Sequence, residues 1–369
     1  MNFYTLSITT LYFTMVSYTA IGLMSGTSCD GLDIAYCHFI KNETIWEYTI
    51  QQATTIAYTP EWKQKWQHAA TLSAWNMALL DVEVGRYFGE QVNLFLTKYN
   101  LPKPTIIASH GHTIFHAPAQ GVSLQIGCLA TIAATTKIPT IGDFRRLDVA
   151  LQGQGAPLVP VADALLFNKY TACLNIGGFA NISLEDETGN RIAWDTCPAN
   201  IILNKLTQKI GLEYDKGGEI AATGVLMEDL YKELNALDFY TQKPPKSLGR
   251  EWVEQCINPL LQRYEQENIQ NTIHTITQHI ALQIATTCNN YTIDTLLVTG
   301  GGAWNTYLIE SIKKQTATTI LIPESKIVDF KEALAFAFLG ILRHTHTINT
   351  LASVTGATQN SIGGSSWYI

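Results

Sequence analysis

The chain has 369 residues, 46% hydrophobic and 15% charged, with 24 Lys and Arg against 31 Asp and Glu for a net charge of −7. That length suits two ordinary domains, while the acidic balance and the lack of a basic stripe exclude extended binding to nucleic acid or to an anionic membrane surface. Seven scattered cysteines without a C-x-x-C point to reduced thiols rather than a disulfide frame.

The N-terminal residues are apolar, but the first Lys or Arg is Lys41, so a signal peptide would lack its positive region. Thr and Ser also break the run well short of the about 18 apolar residues of a membrane span. The expectations are a cytoplasmic protein that does not contact a membrane, with translation starting at Met15.

In chain order, Val16 to Met24 reads as a strand running into Ser25-Gly26-Thr27-Ser28, Gly31 to Phe39 as a second strand, and Thr44 to Ala57 holds a third. Pro60 to Tyr99 reads as helical, with Trp62, Trp66, Leu72, Trp75, Leu79, Val82, Val84 and Phe88 at mixed three–four spacing. A short buried strand, Thr105 to Ser109, leads into His110-Gly111-His112, then a helix at Leu129 to Thr136 and a strand at Pro139 to Asp143.

The pattern then restarts. Ala172 to Ile176 is a strand into Gly177-Gly178, with further strands at Asn181 to Leu184 and Ile192 to Asp195. Helices are expected at Ile201 to Ile210, Val225 to Leu237, Asn268 to Asn289 and Thr306 to Lys314, and a strand at Thr295 to Thr299 before Gly300-Gly301-Gly302. Both halves open on strand, glycine-bearing turn, strand. This predicts two α/β lobes of similar plan around a cleft, one over 15–165 and one over 166–369, with the C-terminal helix packing back on the first lobe.

Three glycine-bearing turns follow strand-type runs. The first spans Gly26, Thr27, Ser28, Cys29, Asp30, Gly31, Leu32 and Asp33; the second holds Gly177 and Gly178; the third holds Gly300, Gly301 and Gly302. Small residues let backbone N–H groups close around a phosphate, hydroxyls add donors, and a carboxylate such as Asp30 can hold Mg²⁺. None of the three is a P-loop or a G-x-G-x-x-G. The bland reading of any one is a tight turn. Three in this order argue for a phosphate site.

The arrangement resembles the actin and sugar-kinase ATPase superfamily, with its two-lobed, ribonuclease H-like α/β fold and central cleft. Within it the match narrows to the anhydro-N-acetylmuramic acid kinases. The segments that carry the resemblance are GLMSGTSCDGLD (22–33), SHGHTIFHAP (109–118), GDFRRLDVALQGQGAPLVP (142–160), LNIGGFANIS (174–183) and WDTCPANIILN (194–204). They continue with YDKGG (214–218), PPKSLGRE (244–251), TGGGAWN (299–305), KEALAFAFLG (331–340) and SVTGA (353–357). The resemblance implies an ATP- and Mg²⁺-dependent enzyme of peptidoglycan recycling. It would hydrolyse the bridge of 1,6-anhydro-N-acetylmuramic acid while phosphorylating O6, giving N-acetylmuramic acid 6-phosphate. It further implies Asp195 as the base that activates the attacking water, the first turn, Gly177, Gly178 and Gly300–Gly302 as the ATP site, and a homodimer. Sugar or phosphate contacts fall to His112, His116, Arg145 and Glu332, against rival readings of Arg145 as a lobe–lobe salt bridge and Glu332 as a helix start. Asp143 and Asp148 could hold Arg145 or Arg146 in place.

Departures from the family pattern accompany this reading. Cys197 and Ala199 replace glycines beside Asp195, and Gln152 replaces another; where the backbone needs φ > 0 such changes cost about 1 kcal/mol or more. Three alternatives stand beside the anhydro-sugar kinase. They are an ordinary sugar kinase, a non-catalytic sugar or nucleotide binder, and a metal-dependent hydrolase built on His110, His112 and His116 with Asp143 or Asp195, since H-x-H on a strand points both rings one way. Asp195 could also merely cap the helix starting near Pro198.

Overall fold

The computed structural model describes residues 15–26 and 29–369. Thr27 and Ser28 of the first turn, and the stretch ahead of Met15, lie outside the described residues. The first half builds β1 (Val16–Ser25), β2 (Gly31–Asn42), β3 (Ile45–Ala57), β4 (Ile106–Ala117), β5 (Val122–Ile126) and β6 (Thr140–Gly142). The second half builds β7 (Ala172–Ile176), β8 (Phe179–Glu185), β9 (Arg191–Pro198), β10 (Thr295–Thr299) and β11 (Thr319–Leu321), and the chain ends on β12 (Ser365–Trp367).

Strand order shows the internal repeat directly. One sheet reads β12-β6-β4-β1-β2-β3 with β5 on β4, the other β11-β10-β7-β8-β9. In each, three antiparallel strands are followed by two strands added in parallel, β4 and β6 beside β1, and β10 and β11 beside β7. The two-lobed α/β plan expected from the sequence is present, with the same strand order twice.

Alternation along each strand divides its side chains between two helical layers. In β1, Ile21 and Leu23 face the helices Pro60–His68, Ala74–Lys98 and Leu129–Thr136, packing with Trp66, Val84, Phe88 and Ile132. Ala20, with Ala108 of β4 and Ile141 of β6, faces the opposite layer, where the helix Ser325–His344 supplies Phe336, Phe338 and Leu339. That helix lies so close that a Cβ on Gly22 would sit 1.8 Å from the carbonyl oxygen of Ala333. Only glycine allows this approach, and it brings Lys331 and Glu332 up to the end of β1. The chain after residue 324 therefore packs on the first sheet, and β12 pairs with β6.

The second sheet buries Leu174, Ile176, Ile182, Leu296 and Val298 against the helix Ile269–Asn290, through Ile273, Ile276, Ile280 and Ile284. Its alternate residues Cys173 and Leu297 join the Phe336–Phe338 cluster, so one buried core runs between the lobes. A buried ion pair crosses it: Lys331 Nζ lies 2.8 Å from an oxygen of Asp163, in the connecting helix Pro160–Leu166.

Several expectations shift. The Pro60–Tyr99 stretch is two helices, separated where Leu72 turns extended and Ser73 caps the second through its hydroxyl, which accepts from the Asn76 N–H. Trp75, Leu79 and Val82 are 73%, 52% and 39% exposed, so the apolar spacing read there mixes a core face with a surface one. The strand expected to end at Ser109 runs on to Ala117, because β5 folds back on it as a hairpin partner. β9 likewise runs through Pro198, and the next helix is Asn200–Gln208.

Candidate active site

The Gly177-Gly178 turn sits on the N-terminus of the Asn200–Gln208 helix, where its carbonyls take the N–H groups of Ala199, Asn200 and Ile201. Gly300 meets the end of β7 from the neighbouring strand. Its backbone holds φ 81°, ψ 168°, and a Cβ there would lie 2.6 Å from Asn175 Oδ1 and 2.8 Å from the Ile176 carbonyl. The second and third turns are thus pressed together. Gly217 joins them, its carbonyl accepting from the Thr306 hydroxyl at 2.8 Å. The paired glycines of YDKGG (214–218) are the local signal for this placement.

Of the first turn, Gly26 accepts from the Cys29 N–H at 3.1 Å, and Cys29 takes a left-handed backbone, φ 58°. Burial pushes the Cys29 thiol up, in keeping with a packing residue rather than a nucleophile. Asp30 is exposed, Leu32 is fully buried, and Asp33 is half-buried at the start of β2 with its Oδ1 accepting from the Thr55 hydroxyl at 2.6 Å. Burial, and then the nearby Asp30 and Asp329, raise the Asp33 carboxyl.

His110 and His112 do not act together. β4 bulges here: Leu23 pairs with Ser109 and Ser25 with His112, leaving two residues opposite Met24, and Gly111 takes φ 76°. The extra residue breaks the alternation. The His110 ring packs on Phe336, while the His112 ring stacks at 4.0 Å on Trp66, on the other face of the sheet. The expectation that both rings point one way is corrected, and the metal-hydrolase reading falls with it. Among the described residues no group of three or more His, Cys, Asp or Glu is placed to hold a metal ion.

His112 instead supports the first turn from behind. It is buried, its Nδ1 lies 2.8 Å from Ser25 Oγ, and burial lowers its pKa to about 4, so the ring is neutral at physiological pH. The same hydroxyl contacts Tyr58 at 2.6 Å. His116 lies outside this network, exposed, with its Nδ1 3.1 Å from Ser123 Oγ.

Arg145 is held by neutral acceptors only. Its Nε and Nη2 donate to His110 Nε2 at 3.1 and 2.9 Å, and Nη1 donates to the Gly155 carbonyl at 2.7 Å. His110 is fixed as the acceptor tautomer because its Nδ1 faces the Gly111 carbonyl at 2.9 Å, and burial holds its pKa well below 6.5. No lobe–lobe salt bridge forms at Arg145; among the described residues Asp143 pairs with Arg146 instead, at 3.5 Å. With no carboxylate on it, the Arg145 charge remains available to a ligand. Nothing local in S-H-G-H says which arginine His110 would meet.

Glu332 follows a break in the Ser325–His344 helix at Phe330, φ −120°, so it does occupy a helix start. It is solvent-exposed, yet surrounding protein and then Asp33 raise its carboxyl while Arg145 lowers it.

Asp195 lies on β9 of the second sheet. Its Oδ2 accepts from the Leu248 N–H at 2.8 Å, and its own N–H donates to the Lys246 carbonyl at 3.1 Å, so the 244–249 loop clasps it. Burial raises its carboxyl to about 6. It caps no helix: Ala199 is the cap residue of Asn200–Gln208. Cys197 and Ala199 are fully buried without the left-handed φ that would demand glycine, whereas Gln152 does carry one, φ 68°.

The model of the family described as anhydro-N-acetylmuramic acid kinase matches residues 18–369. The chain belongs to that family. Curated anhydro-N-acetylmuramic acid kinases of Bacillus cereus and Francisella tularensis subsp. novicida are 33% and 34% identical to it, each alignment covering 93% of this chain and 97% of the relative. Membership makes the chain a kinase, a phosphotransferase with an alcohol group as acceptor. Solved structures similar to it include the activator of the 2-hydroxyisocaproyl-CoA dehydratase from Clostridium difficile with bound ADPNP (TM-score 0.41, 13% identity, 89% of this chain and 96% of that one). Another is a ROK family glucokinase from Streptomyces griseus in complex with glucose and AMPPNP (TM-score 0.38, 9% identity, 87% and 98%). No helix of the described residues is long and apolar enough to cross a membrane.

Proposed function

We propose that this chain uses ATP and Mg²⁺ to convert 1,6-anhydro-N-acetylmuramic acid to N-acetylmuramic acid 6-phosphate, opening the anhydro bridge with water and phosphorylating O6. The single observation that carries the reading is Asp195. A half-buried carboxyl raised to about 6, with one oxygen held by a backbone N–H, is tuned to accept a proton near neutral pH. It takes that proton from the water attacking the anomeric carbon. The electrons of the breaking carbon–O6 bond remain on O6, which then accepts the phosphoryl group.

Around this step the other residues position and neutralise. We assign to the nucleotide Gly177, Gly178 and Gly300–Gly302 and, from the first lobe, the sequence segment Gly26, Thr27, Ser28, Cys29, Asp30, Gly31, Leu32 and Asp33. Arg145, Glu332 and His116 face the sugar and the transferring group, and His112 acts through Ser25. Asp33 is crowded by Asp30 and Asp329 without an ion-pair partner among the described residues, a setting that a divalent cation relieves. Mg²⁺ needs only one or two carboxylates beside phosphates and water, so Asp30 and Asp33 fit it. When bound, it neutralises phosphate charge. A cytoplasmic step of peptidoglycan recycling, carried out by a homodimer, completes the reading.

Incubation with ATP, Mg²⁺ and the anhydro sugar, followed by product mass, tests it. The expected product has gained both phosphate and the elements of water. Phosphate alone identifies an ordinary sugar kinase, and bound ligand without ADP release a non-catalytic binder.

A further inference from the structure

Arg145 is gripped at one end by a carbonyl that is itself held in place. Gly155, whose oxygen takes the Arg145 Nη1 proton at 2.7 Å, donates its own N–H to Asp148 Oδ2 at 2.7 Å. The other Asp148 oxygen accepts from the Thr355 hydroxyl at 2.6 Å. Asp148 is fully buried, and two glycines make the arrangement possible. A Cβ on Gly153 would fall 2.2 Å from Asp148 Oδ2, and Gly155 takes φ 67°, which aims its N–H at the acid and its carbonyl at the arginine.

Resting on the proposed role of Arg145, we propose that Asp148 is a positioning residue: it fixes the Gly155 carbonyl and thereby aims the Arg145 guanidinium at the anionic group of the bound substrates. The indirect route has a physical consequence. A carboxylate bonded straight to Arg145 would neutralise it, whereas Asp148 orients the guanidinium through an intervening peptide and leaves its charge for the ligand. The clamp also draws in the far end of the chain, because Thr355 lies in the segment after the Ser325–His344 helix, and the Gln154 N–H donates to the Thr355 carbonyl at 2.8 Å.

The test is a double-mutant cycle on turnover of ATP with the anhydro sugar. Asp148→Asn replaces the acid with an amide of the same shape. It is expected to lower kcat by about tenfold or more, since misplacing a catalytic group by about 1 Å can cost 10²-fold, while the KM for ATP stays within about threefold. Thr355→Val, a milder change that leaves the acid in place, is expected to lose less in the same direction. In an Arg145→Ala background both further losses should vanish, because nothing remains to be aimed. Full additivity, or an Asp148→Asn enzyme with unchanged kcat beside a crippled Arg145→Ala enzyme, overturns the inference. An Arg145→Ala enzyme with normal turnover instead overturns the role given to Arg145 itself.

Discussion

Replacing Asp195 with Asn should leave an enzyme that is much slower and more stable, and the two effects have one cause. The amide keeps the shape of the side chain and an oxygen to accept from the Leu248 N–H, but it cannot take a proton from water. General-base contributions of about 10² to 10⁴-fold correspond to about 3 to 5 kcal/mol of barrier. The stability effect follows from the same burial. In the folded chain the carboxyl is raised from 3.8 to about 6, so folding disfavours its charged form; the group favours the native state fully below pH 3.8 and loses that contribution as pH rises through 6. Above pH 7 the wild-type protein therefore carries a cost of about 1–3 kcal/mol, allowing for the solvent that reaches this half-buried group. Asn removes that cost. Coupled measurement of ADP release with the anhydro sugar at pH 5 to 8 should show a wild-type acid limb near pH 6, falling about tenfold by pH 5. The Asn variant should lack that limb, and thermal melting at pH 7.5 should place its midpoint above wild type. A folded variant that retains more than about a tenth of wild-type turnover refutes the base assignment. One that melts earlier refutes the reading of the shift as uncompensated burial.

Gly300→Ala puts a side chain where φ 81°, ψ 168° admits essentially glycine alone, and 2.6 Å from Asn175 Oδ1. A loss of about 1–3 kcal/mol in denaturant midpoint is expected, with a raised KM for ATP and little change for the sugar; an unchanged KM for ATP would detach the third turn from the nucleotide. Acid should also destabilise the fold through its buried histidines. His112, lowered to about 4, and His279, lowered to about 3 between Asn235 and Tyr240, stay neutral in the native state while the unfolded chain protonates near 6.5. Stability is thus full above pH 6.5 and falls as pH drops toward 4, by about 2–3 kcal/mol per histidine at pH 4.5. Urea melts of wild type and His279→Gln should converge between pH 7 and pH 4.5, and parallel curves would show that His279 is not the source.

Much of this was readable from local sequence because short-range chemistry decides it. Strand–turn–strand punctuation repeats in both halves, and the glycines at 22 and 300 stand where another segment's backbone comes too close for a Cβ. The motif segments identify the family and its two-lobed α/β kinase fold without knowledge of any contact. What local sequence did not contain was the pairing between distant segments. The two histidines of S-H-G-H share a face in an ideal strand; only pairing with β1, which leaves two residues opposite Met24, turns them apart and gives His110 to Arg145 and His112 to Ser25. Asp195, three residues before Pro198, looks like a helix cap until β9 runs through Pro198 and the loop at 244–249, some fifty residues away, supplies the N–H that holds the carboxylate. Asp148 and Thr355 are 207 residues apart. Their bond exists because the chain after residue 324 returns to the first sheet, a decision made by burial of the Ser325–His344 helix against β1 and β4 and by a glycine at 22 small enough to let it in.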